Sequence, residues 1–328
     1  MIKRHPWGDL AVPDLPPPHD VVVLGLPWDG GVAWRGGAAE APSRLREVSV
    51  SSQAISEEGV VVERSRLRLH DHGDVVPGPP GGDLDRTRQD YFARIEETVG
   101  RLLRGAGPPA GDAGGPGGGV DAGDRDPFLL TIGGDHSVSI PLLRAFADRH
   151  PEGFGLVLVD AHPDLFDTYE GSPLSHACPI RRALETGRVK PEHLLILGTR
   201  SYNQVEIDFM KEKGIRFVPA REVDRIGVEE VVRLACRRLE GVTTVYLTID
   251  IDAADPSCAP GTGFPVAGGL TSRQMIDLAR GLLQQLPVRG MDIVEVSPPL
   301  DPGGITLFLA LQIVFEAFAV VAARGNAR

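Results

Sequence analysis

Three short clusters of acidic residues and histidines stand out in the chain. They contain six side chains of the metal-ligand type: His136, Asp160, His162, Asp164, Asp250 and Asp252. Residues two positions apart on an extended backbone point the same way, so Asp160 and His162 can face one site, as can Asp250 and Asp252. Carboxylate oxygen and imidazole nitrogen are ligands that manganese, iron and zinc prefer. Six such ligands exceed what one ion takes once water is bound, so the pattern predicts two ions close enough to activate one water.

A purely structural explanation exists for each cluster taken alone. An Asp at the end of a strand usually forms a turn or caps a helix, and a buried His is usually just hydrogen-bonded. The three clusters together favour a metal site, because several buried and unpaired carboxylates would be very costly without a cation. Two neighbouring acids are given structural roles: Asp255 is expected to cap a turn, and Asp135 to fix His136 or its loop.

Each cluster follows a run of apolar residues long enough to form a buried strand. Such runs alternate with helix-length segments and occupy residues 21–27, 67–74, 128–134, 154–160, 193–199, 215–219, 243–252 and 288–296. This alternation predicts an α/β fold, a single-domain three-layer α-β-α arrangement with a mainly parallel central sheet of about eight strands. Ligands bind at the carboxyl ends of the strands in such a sheet. The clusters and Glu295 fall at those ends, so we expect them to meet at one edge.

Helices are predicted between the strands, at residues 41–55, 85–103, 140–149, 228–240 and 272–286. A further apolar segment, 305–322, is about 18 residues long and could pass for a membrane span. It contains Gln312 and Glu316, so a buried core helix is the favoured interpretation. Residues 105–126 are almost all Gly, Pro, Ala and Asp, which predicts a flexible Gly/Pro-rich insertion within one domain of residues 1–328.

The composition narrows the classes of partner. The formal net charge is −11 and no basic stripe is present, which argues against nucleic-acid binding. The cysteines, Cys178, Cys236 and Cys258, form no CxxC motif, and the N-terminus lacks the apolar core of a signal peptide. Both features favour a reducing, cytoplasmic location. Cys178 has no basic partner in the sequence and is interpreted as a packing residue, and no membrane partner is expected.

Longer motifs carry a resemblance to a known family. GGDHS occupies residues 133–137, DAHPD residues 160–164 and TIDIDAADPSCAPGTGFPVAGGL residues 248–270. GLPWDGG, HDHGD and EVSPPLD support them at 25–31, 70–74 and 295–301. In this order the motifs resemble the ureohydrolase superfamily, which includes arginases and agmatinases. DAHPDLFDTYEG, followed by SHACP and GTRSYNQ, is most similar to the agmatinase-like branch.

The resemblance implies an arginase-like α/β fold and a binuclear centre with two Mn²⁺ ions per chain, other divalent metals being alternatives. One ion would be held by His136, Asp160, Asp164 and Asp250. The other would be held by Asp160, His162, Asp250 and Asp252, so that Asp160 and Asp250 bridge the pair. The resemblance also implies assembly as a homotrimer or homohexamer.

Three residues receive catalytic roles from the same resemblance. Glu295 would pair with the guanidinium of a small cationic substrate, Asp164 would carry the first proton, and His176 would shuttle a proton to the leaving amine. The alternatives are a structural carboxylate at Glu295 and a surface histidine at His176. The implied reaction converts a guanidino compound to urea and an amine.

The sequence resolves the substrate less well. Arginases usually carry an Asn two residues after the last Asp of DAHPD, and this chain has Phe166 there. Agmatine, hydrolysed to putrescine, is therefore favoured over arginine, with guanidinobutyrate, guanidinopropionate and guanidine as further candidates. Ala39 and Phe264 also depart from the family pattern, and the loops around Trp28, Phe166 and Phe264 are expected to select the substrate.

Two alternatives of other kinds are weighed against this reaction. A non-catalytic, metal-binding member of the family is disfavoured because every expected ligand, His176 and Glu295 are present. An amide hydrolase related to histone deacetylases is disfavoured because those proteins use a single zinc ion and lack the paired DxD and GGDHS motifs.

Overall fold

One parallel sheet organises the computed structural model, which describes residues 5–32, 34–78, 83–104 and 126–326. Its strands are β1 Val21–Gly25, β2 Leu69–Asp74, β3 Phe128–Ile132, β4 Gly155–Val159, β5 Leu194–Leu197, β6 Arg216–Val218, β7 Val245–Asp250 and β8 Val288–Val294. They lie in the order β2-β1-β3-β8-β7-β4-β5-β6, and every neighbouring pair is parallel. The predicted sheet of about eight mainly parallel strands is confirmed.

Helices cover both faces of this sheet. They are α1 Pro6–Asp9, α2 Ala41–Ser49, α3 Leu84–Leu103, α4 Ser139–Arg149, α5 Pro179–Glu185, α6 Gln204–Lys213, α7 Ala220–Ile226, α8 Val228–Arg238, α9 Ser272–Gln285 and α10 Ile305–Asn326. The apolar side chains of α2, α8, α9 and α10 pack on one face, and those of α3, α4 and α5 pack on the other. The predicted three-layer α-β-α arrangement is therefore confirmed.

The helix predicted over residues 41–55 is shorter than expected. It ends at Ser49, and a turn follows in which the hydroxyl groups of Ser51 and Ser52 donate to the carbonyl of Val48 at 3.0 and 3.4 Å. Serine hydroxyl groups compete with the backbone for the hydrogen bonds that would extend a helix. The apolar periodicity continues past the serines, but the helix does not.

The apolar helix α10 lies in the core, as predicted. Among the described residues it is the helix long and apolar enough to span a membrane, and 83% of its most apolar window is buried in the protein. Its polar residues are accommodated there: the Glu316 carboxylate accepts hydrogen bonds from the Glu57 backbone at 2.7 Å and from Gln312 at 2.9 Å.

The predicted insertion at residues 105–126 joins α3 to β3. Residues 105–125 lie outside the described ranges, so its flexibility stays a prediction. The assignment of residues 1–328 to one domain also stays a prediction, because it includes residues outside those ranges.

Candidate metal centre and active site

Four neighbouring strands in the middle of the sheet end at the candidate site. β3, β8, β7 and β4 lie side by side and run in the same direction. β3 leads through Gly133 and Gly134 to His136, and β8 leads to Glu295. β7 ends at Asp250, and β4 leads directly into Asp160. The structure therefore brings the predicted ligands to one edge of the sheet.

The first group of candidate ligands surrounds His136. Its Nδ1 lies 3.2 Å from Asp160 Oδ2, 2.8 Å from Asp164 Oδ2 and 3.4 Å from Asp250 Oδ2. The turn that carries His136 requires a glycine at 134, because a Cβ there would stand 1.6 Å from the carbonyl oxygen of Trp28. His136, Asp160 and Asp164 form a buried group that could hold a metal ion.

The second group surrounds His162 and shares Asp160 with the first. His162 Nδ1 lies 3.0 Å from Asp252 Oδ2 and 3.5 Å from Asp160 Oδ1, and these three residues could also hold an ion. Asp160 thus presents one oxygen to each group, which is the arrangement a bridging carboxylate needs. Asp250 presents Oδ2 to the first group, while its Oδ1 accepts a hydrogen bond from the Asp252 backbone at 2.8 Å. Its predicted role as a second bridge stays a prediction.

The protonation of His136 suits a metal ligand. The Thr248 hydroxyl donates its one hydrogen to Asp292 Oδ1 at 2.6 Å, so it must accept at 3.0 Å from the Nε2–H of His136. Nδ1 is therefore the ring nitrogen that faces three carboxylates and the one that can bind a metal ion. Both this Nδ1 and Asp160 Oδ2 are buried without a hydrogen-bond partner among the described residues. A bound cation satisfies both atoms, so the residues present fit a metal ion.

The electrostatics of the site point to the same need for positive charge. Burial, with Asp252 and Asp160 nearby, raises the pKa of Asp250 well above its usual value. Burial and the charge of Asp160 also raise the pKa of Asp164. Burial alone would lower the pKa of His162, but Asp252 and Asp160 raise it to about 12. Carboxylates crowded in this way stay ionised together only when cations compensate them.

Two site residues adopt left-handed backbone conformations. Asp164 has φ 53° and Glu295 has φ 61°, a region that residues other than glycine rarely occupy. Glu295 is held there by two hydrogen bonds: its backbone N–H donates to Gly134 O at 2.8 Å, and its Oε1 accepts from the His136 backbone at 2.8 Å. Burial, with Asp135 close by, raises the pKa of this carboxyl well above its usual value.

His176 lies on the loop before α5 and lines the same pocket. Its Nδ1 contacts the carbonyl oxygen of Gly31; a carbonyl only accepts, so Nδ1 carries a hydrogen and Nε2 is the ring nitrogen left available for proton transfer. Asp135 fixes this arrangement, since its Oδ2 accepts from the Gly31 backbone at 2.7 Å and its Oδ1 from the Ser137 backbone at 3.0 Å. Asp135 therefore positions a loop of the site, as predicted.

A cavity of about 180 Å³ opens onto the two groups of ligands. Phe166 and Phe264 line it, as predicted, whereas Ala39 is not among its lining residues. The loop around Trp28 also lines the cavity, as predicted, but Trp28 itself is 94% buried and packs against Tyr91 with ring centroids 5.3 Å apart. Trp34, farther along the same loop, lines the cavity instead.

Sequence reasoning missed further lining residues, namely Arg35, Tyr169, Asn203 and Glu206. No regular spacing marks them, because they come from separate loops and the start of α6. The Asn203 and Glu206 pair does carry a signal, since an Asn followed three residues later by Glu is a helix-capping pattern.

Two structural assignments agree with the expectation. Asp255 accepts hydrogen bonds from the backbone of Ser257 at 3.0 Å, Gly268 at 2.8 Å and Gly269 at 3.0 Å, so it caps a turn. Cys178 is fully buried, and burial raises the pKa of its thiol to about 11. A thiol with that pKa is not a nucleophile near neutral pH.

The parallel sheet and the histidine–aspartate groups at its carboxyl edge define the class of protein. It is an α/β protein with a candidate metal centre. The chain belongs to the arginase family, whose sequence profile matches residues 19–319. It is similar to guanidinopropionase from Pseudomonas aeruginosa, with 35% identity over 92% of this chain and 86% of the relative. It is also 35% identical to an agmatinase from Bacillus anthracis, over 96% and 94% of the two chains.

A solved structure of proclavaminate amidinohydrolase from Streptomyces clavuligerus has the same fold. It superposes with a TM-score of 0.81 at 30% identity and covers 97% of both chains. These similarities place the chain in the agmatinase-like branch of the ureohydrolases. It is therefore a hydrolase that acts on amidino C–N bonds.

Proposed function

We propose that this protein hydrolyses a guanidino compound to urea and an amine with two Mn²⁺ ions per chain. The observation that carries the proposal is the pair of ligand groups sharing Asp160 at the base of a cavity that Glu295 also lines. His136, Asp160, Asp164 and Asp250 would hold one ion, and Asp160, His162, Asp250 and Asp252 the other. When bound, two such ions lower the pKa of a shared water and so supply a nucleophile near neutral pH.

Glu295 is the candidate that orients the guanidinium. Its Oε1 is fixed by the His136 backbone, and its carboxylate lines the cavity. A carboxylate can meet two N–H groups of a planar guanidinium at once. Because burial raises the pKa of Glu295, a bound guanidinium cation favours the ionised form and is favoured by it in return.

Asp164 and His176 are the candidates for proton transfer. Asp164 lies beside His136 within the first ligand group and would accept the first proton. His176 holds its ring through Nδ1 and has Nε2 available, so it would pass a proton to the leaving amine. Protonation of that amine is required, since a neutral amine leaves far more readily than an amide anion.

Agmatine, giving putrescine, is the substrate that the sequence favours. The relatives support two kinds of candidate equally, because the agmatinase and the guanidinopropionase are both 35% identical to this chain. Phe166 lines the cavity at the position where arginases carry Asn. Arginine therefore ranks below the other two kinds of candidate substrate. A cytoplasmic location and a homotrimer or homohexamer are part of the proposal.

A urea-release assay on manganese-reconstituted protein tests the reaction. The panel comprises agmatine, arginine, 4-guanidinobutyrate, 3-guanidinopropionate and guanidine, and we expect urea from at least one of them. Metal analysis of the active protein should find two ions per chain. Absence of urea from every compound would refute the reaction, and full activity with one ion per chain would refute the binuclear centre.

A further inference from the structure

Arg35 is a charged residue in the cavity wall that the proposed chemistry does not use. It follows β1 in the chain and stacks on the neighbouring Trp34, with its guanidinium carbon 4.2 Å from the centre of that ring. Trp34 is 64% exposed, so this stack stands at the open end of the cavity. Trp34 also packs edge-on against Phe264, with ring centroids 6.2 Å apart. The aromatic contacts restrict where the Arg35 side chain can go.

Among the described residues, neither a hydrogen bond nor an ion pair holds the guanidinium of Arg35. Its Nε is buried without a hydrogen bond, and within the described ranges no carboxylate forms an ion pair with it. An unpaired buried N–H costs free energy, and a guanidinium offers five N–H donors in a planar fork that matches a carboxylate. Arg35 lines the cavity and therefore brings unused donors to the wall of the space where a substrate would lie.

The other charged groups of the cavity wall already have a partner or a proposed role. Asp164, Asp250 and Asp252 belong to the metal groups, and Glu295 is the candidate partner of the substrate's guanidinium. The remaining acid, Glu206, accepts hydrogen bonds from the backbone of Leu165 at 3.2 Å and of Asn203 at 3.1 Å. Among the described lining residues, the charge left unpaired at the mouth is thus the positive one.

The backbone of Arg35 and the carboxylate of Glu295 both lie close to Gly263. A Cβ built on Gly263 would stand 2.7 Å from the Arg35 carbonyl oxygen and 3.7 Å from Glu295 Oε2. A substrate that places its guanidinium against Glu295 and extends toward the mouth therefore passes the loop that carries Arg35. A terminal ammonium there would meet a like charge, while a terminal carboxylate would find a planar, two-pronged donor.

We propose that Arg35 selects an ω-guanidino carboxylic acid as the substrate by pairing with its carboxylate. This inference rests on the proposed guanidino hydrolysis and specifies its substrate class: it places the guanidino acids ahead of agmatine, the compound that the sequence motifs alone favour. It assigns the end of the substrate remote from the reacting carbon, so Arg35 acts on binding and not on the chemical step. Its removal should raise KM for the acid with little change in kcat.

Four compounds of similar size separate the contributions. The acids 3-guanidinopropionate and 4-guanidinobutyrate carry the carboxylate, agmatine carries an ammonium, and butylguanidine is uncharged at that end. In the manganese-loaded wild type we expect kcat/KM for one of the acids to exceed that for agmatine and butylguanidine by about tenfold or more, the size of one charge-assisted contact. A wild type that prefers agmatine or butylguanidine would overturn the inference.

Substitutions at Arg35 test the assignment directly. Arg35→Gln should lower kcat/KM for the preferred acid by about 10- to 100-fold, through KM, and leave butylguanidine nearly unchanged. Arg35→Lys keeps the charge but not the two-pronged geometry, so it should retain part of the preference. Arg237→Gln, on the exposed face of α8 where Arg237 pairs with Glu230, is the matched control and should behave as wild type.

The outcomes separate this inference from the reaction on which it rests. Urea from these compounds with an equal loss on all of them in Arg35→Gln would overturn the role of Arg35 and leave guanidino hydrolysis standing. If Arg35→Lys lost the acid preference to the same level as Arg35→Gln, the positive charge at residue 35 would not be what selects the acid. No urea from any compound in the wild type would refute the reaction itself.

Discussion

At the scale of single residues, Asp160 connects the two halves of the candidate metal centre. Each of its oxygens faces a different histidine, at 3.2 Å for His136 and 3.5 Å for His162. Those two histidines hold the pKa of Asp160 below its usual value although burial opposes this. Asp160 therefore stays ionised more readily than Asp164 and Asp250, whose pKa values are raised, and this is the property required of a ligand shared between ions.

The substitution Asp250→Asn tests the ligand assignment. It removes a negative charge 3.4 Å from His136 Nδ1 and should abolish manganese binding and urea release together. The metal-free variant should unfold at an equal or higher temperature than the metal-free wild type, because a buried carboxylate that repels its neighbours is gone. Metal content, activity and thermal unfolding are the measurements.

The matched control is Asp255→Asn, five residues farther along the chain. Asp255 caps a turn through three backbone N–H groups, so its replacement should cost about 1 kcal/mol of stability and leave metal content unchanged. Full metal content in Asp250→Asn, or metal loss in Asp255→Asn to the same degree, would contradict the assignment of Asp250.

The candidate ligands were predictable because their signal is local. Residues two positions apart, such as Asp250 and Asp252, point the same way on an extended backbone. The order of the motifs along the chain indicated the other candidate ligands. The role inferred for Arg35 was not predictable in this way. It depends on the lack of an acidic partner near the side chain among the described residues, which is a property of the folded structure. In the loop around Trp28, nothing in the local sequence shows that Trp28 packs in the core whereas Trp34 lines the cavity.

At the scale of elements, strand register places a polar residue behind the metal centre. Asp292 on β8 is the register partner of Thr248 on β7 and of Thr131 on β3. Its carboxylate accepts hydrogen bonds from Thr248 at 2.6 Å and from Tyr246 and Ser139 at 3.0 Å each. The chain from Asp292 through Thr248 to His136 sets which ring nitrogen is free, and hence where a metal ion can bind.

Thr248→Val should weaken manganese binding by about 10- to 100-fold, because His136 loses the acceptor that fixes its tautomer. The metal-free variant should also be less stable by about 1–3 kcal/mol, since Asp292 and His136 Nε2 are left buried with fewer partners. The manganese dissociation constant from calorimetric titration and the free energy of unfolding in urea are the two measurements.

Thr131→Val is the control on the other side of Asp292. The Thr131 hydroxyl is buried without a hydrogen-bond partner among the described residues, so an isosteric methyl should leave stability equal or higher and manganese affinity unchanged. Equal effects of the two substitutions on the dissociation constant would rule out a specific role for Thr248.

The eight strands and the helices α3, α4, α8, α9 and α10 followed from the sequence to within a few residues, whereas α1, α5, α6 and α7 were not predicted. The run 154–160 contains β4 and the run 288–296 contains β8. A continuous apolar stretch between helices is typical of a strand that is buried on both faces of a parallel sheet. Helix α2 ends at Ser49, before the predicted end at residue 55, because local serine hydrogen bonds compete with those that would extend the helix. Register is invisible in a single sequence, so the partnership of Thr248 with Asp292 could not be foreseen.

At the scale of the whole molecule, one arginine ties the first helices to the edge of the sheet. Arg46 on α2 donates from Nε and Nη2 to the two oxygens of Asp71 on β2, at 2.8 and 2.9 Å, and also contacts Asp74. Trp7 on α1 donates from its indole to Asp71 at 2.7 Å. Burial alone would raise the pKa of Asp71, but Arg46 outweighs it and holds that pKa below its usual value.

Arg46→Met should destabilise the protein by about 3 kcal/mol at pH 7, because Asp71 loses its paired charge in a largely buried setting. The loss should shrink toward pH 3. Asp71 has a depressed pKa in the folded state, so its contribution is present above the unfolded pKa and is lost as the pH falls through the folded one. Urea unfolding at the two pH values measures both effects.

Arg44→Met, two residues earlier on the same helix, provides the control. Arg44 and its partner Glu47 are exposed, and surface pairs of this kind contribute little, so the change should be below about 1 kcal/mol and nearly independent of pH. A destabilisation by Arg46→Met that is equally large at pH 3 would point to lost packing and not to the ion pair.

The order of the strands is the property of the whole molecule that the sequence did not disclose. β8, the last strand in the chain, lies between β3 and β7 at the centre of the sheet. No local pattern encodes that placement, which results from how all the helices pack on both faces. It is nevertheless what brings Glu295 between the two metal-ligand clusters of β3 and β7.

The rim of the cavity and its floor differ in how they are built. The floor consists of buried side chains at the ends of central strands, whereas Trp34 and Phe264 at the rim are 64% and 49% exposed and belong to loops. Exposed loop positions accept replacement at little cost in folding free energy, and buried strand ends do not. Directed evolution confined to the rim could therefore explore new guanidino substrates while the hydrolytic machinery stays intact, which makes this scaffold a practical starting point for engineered urea-releasing enzymes.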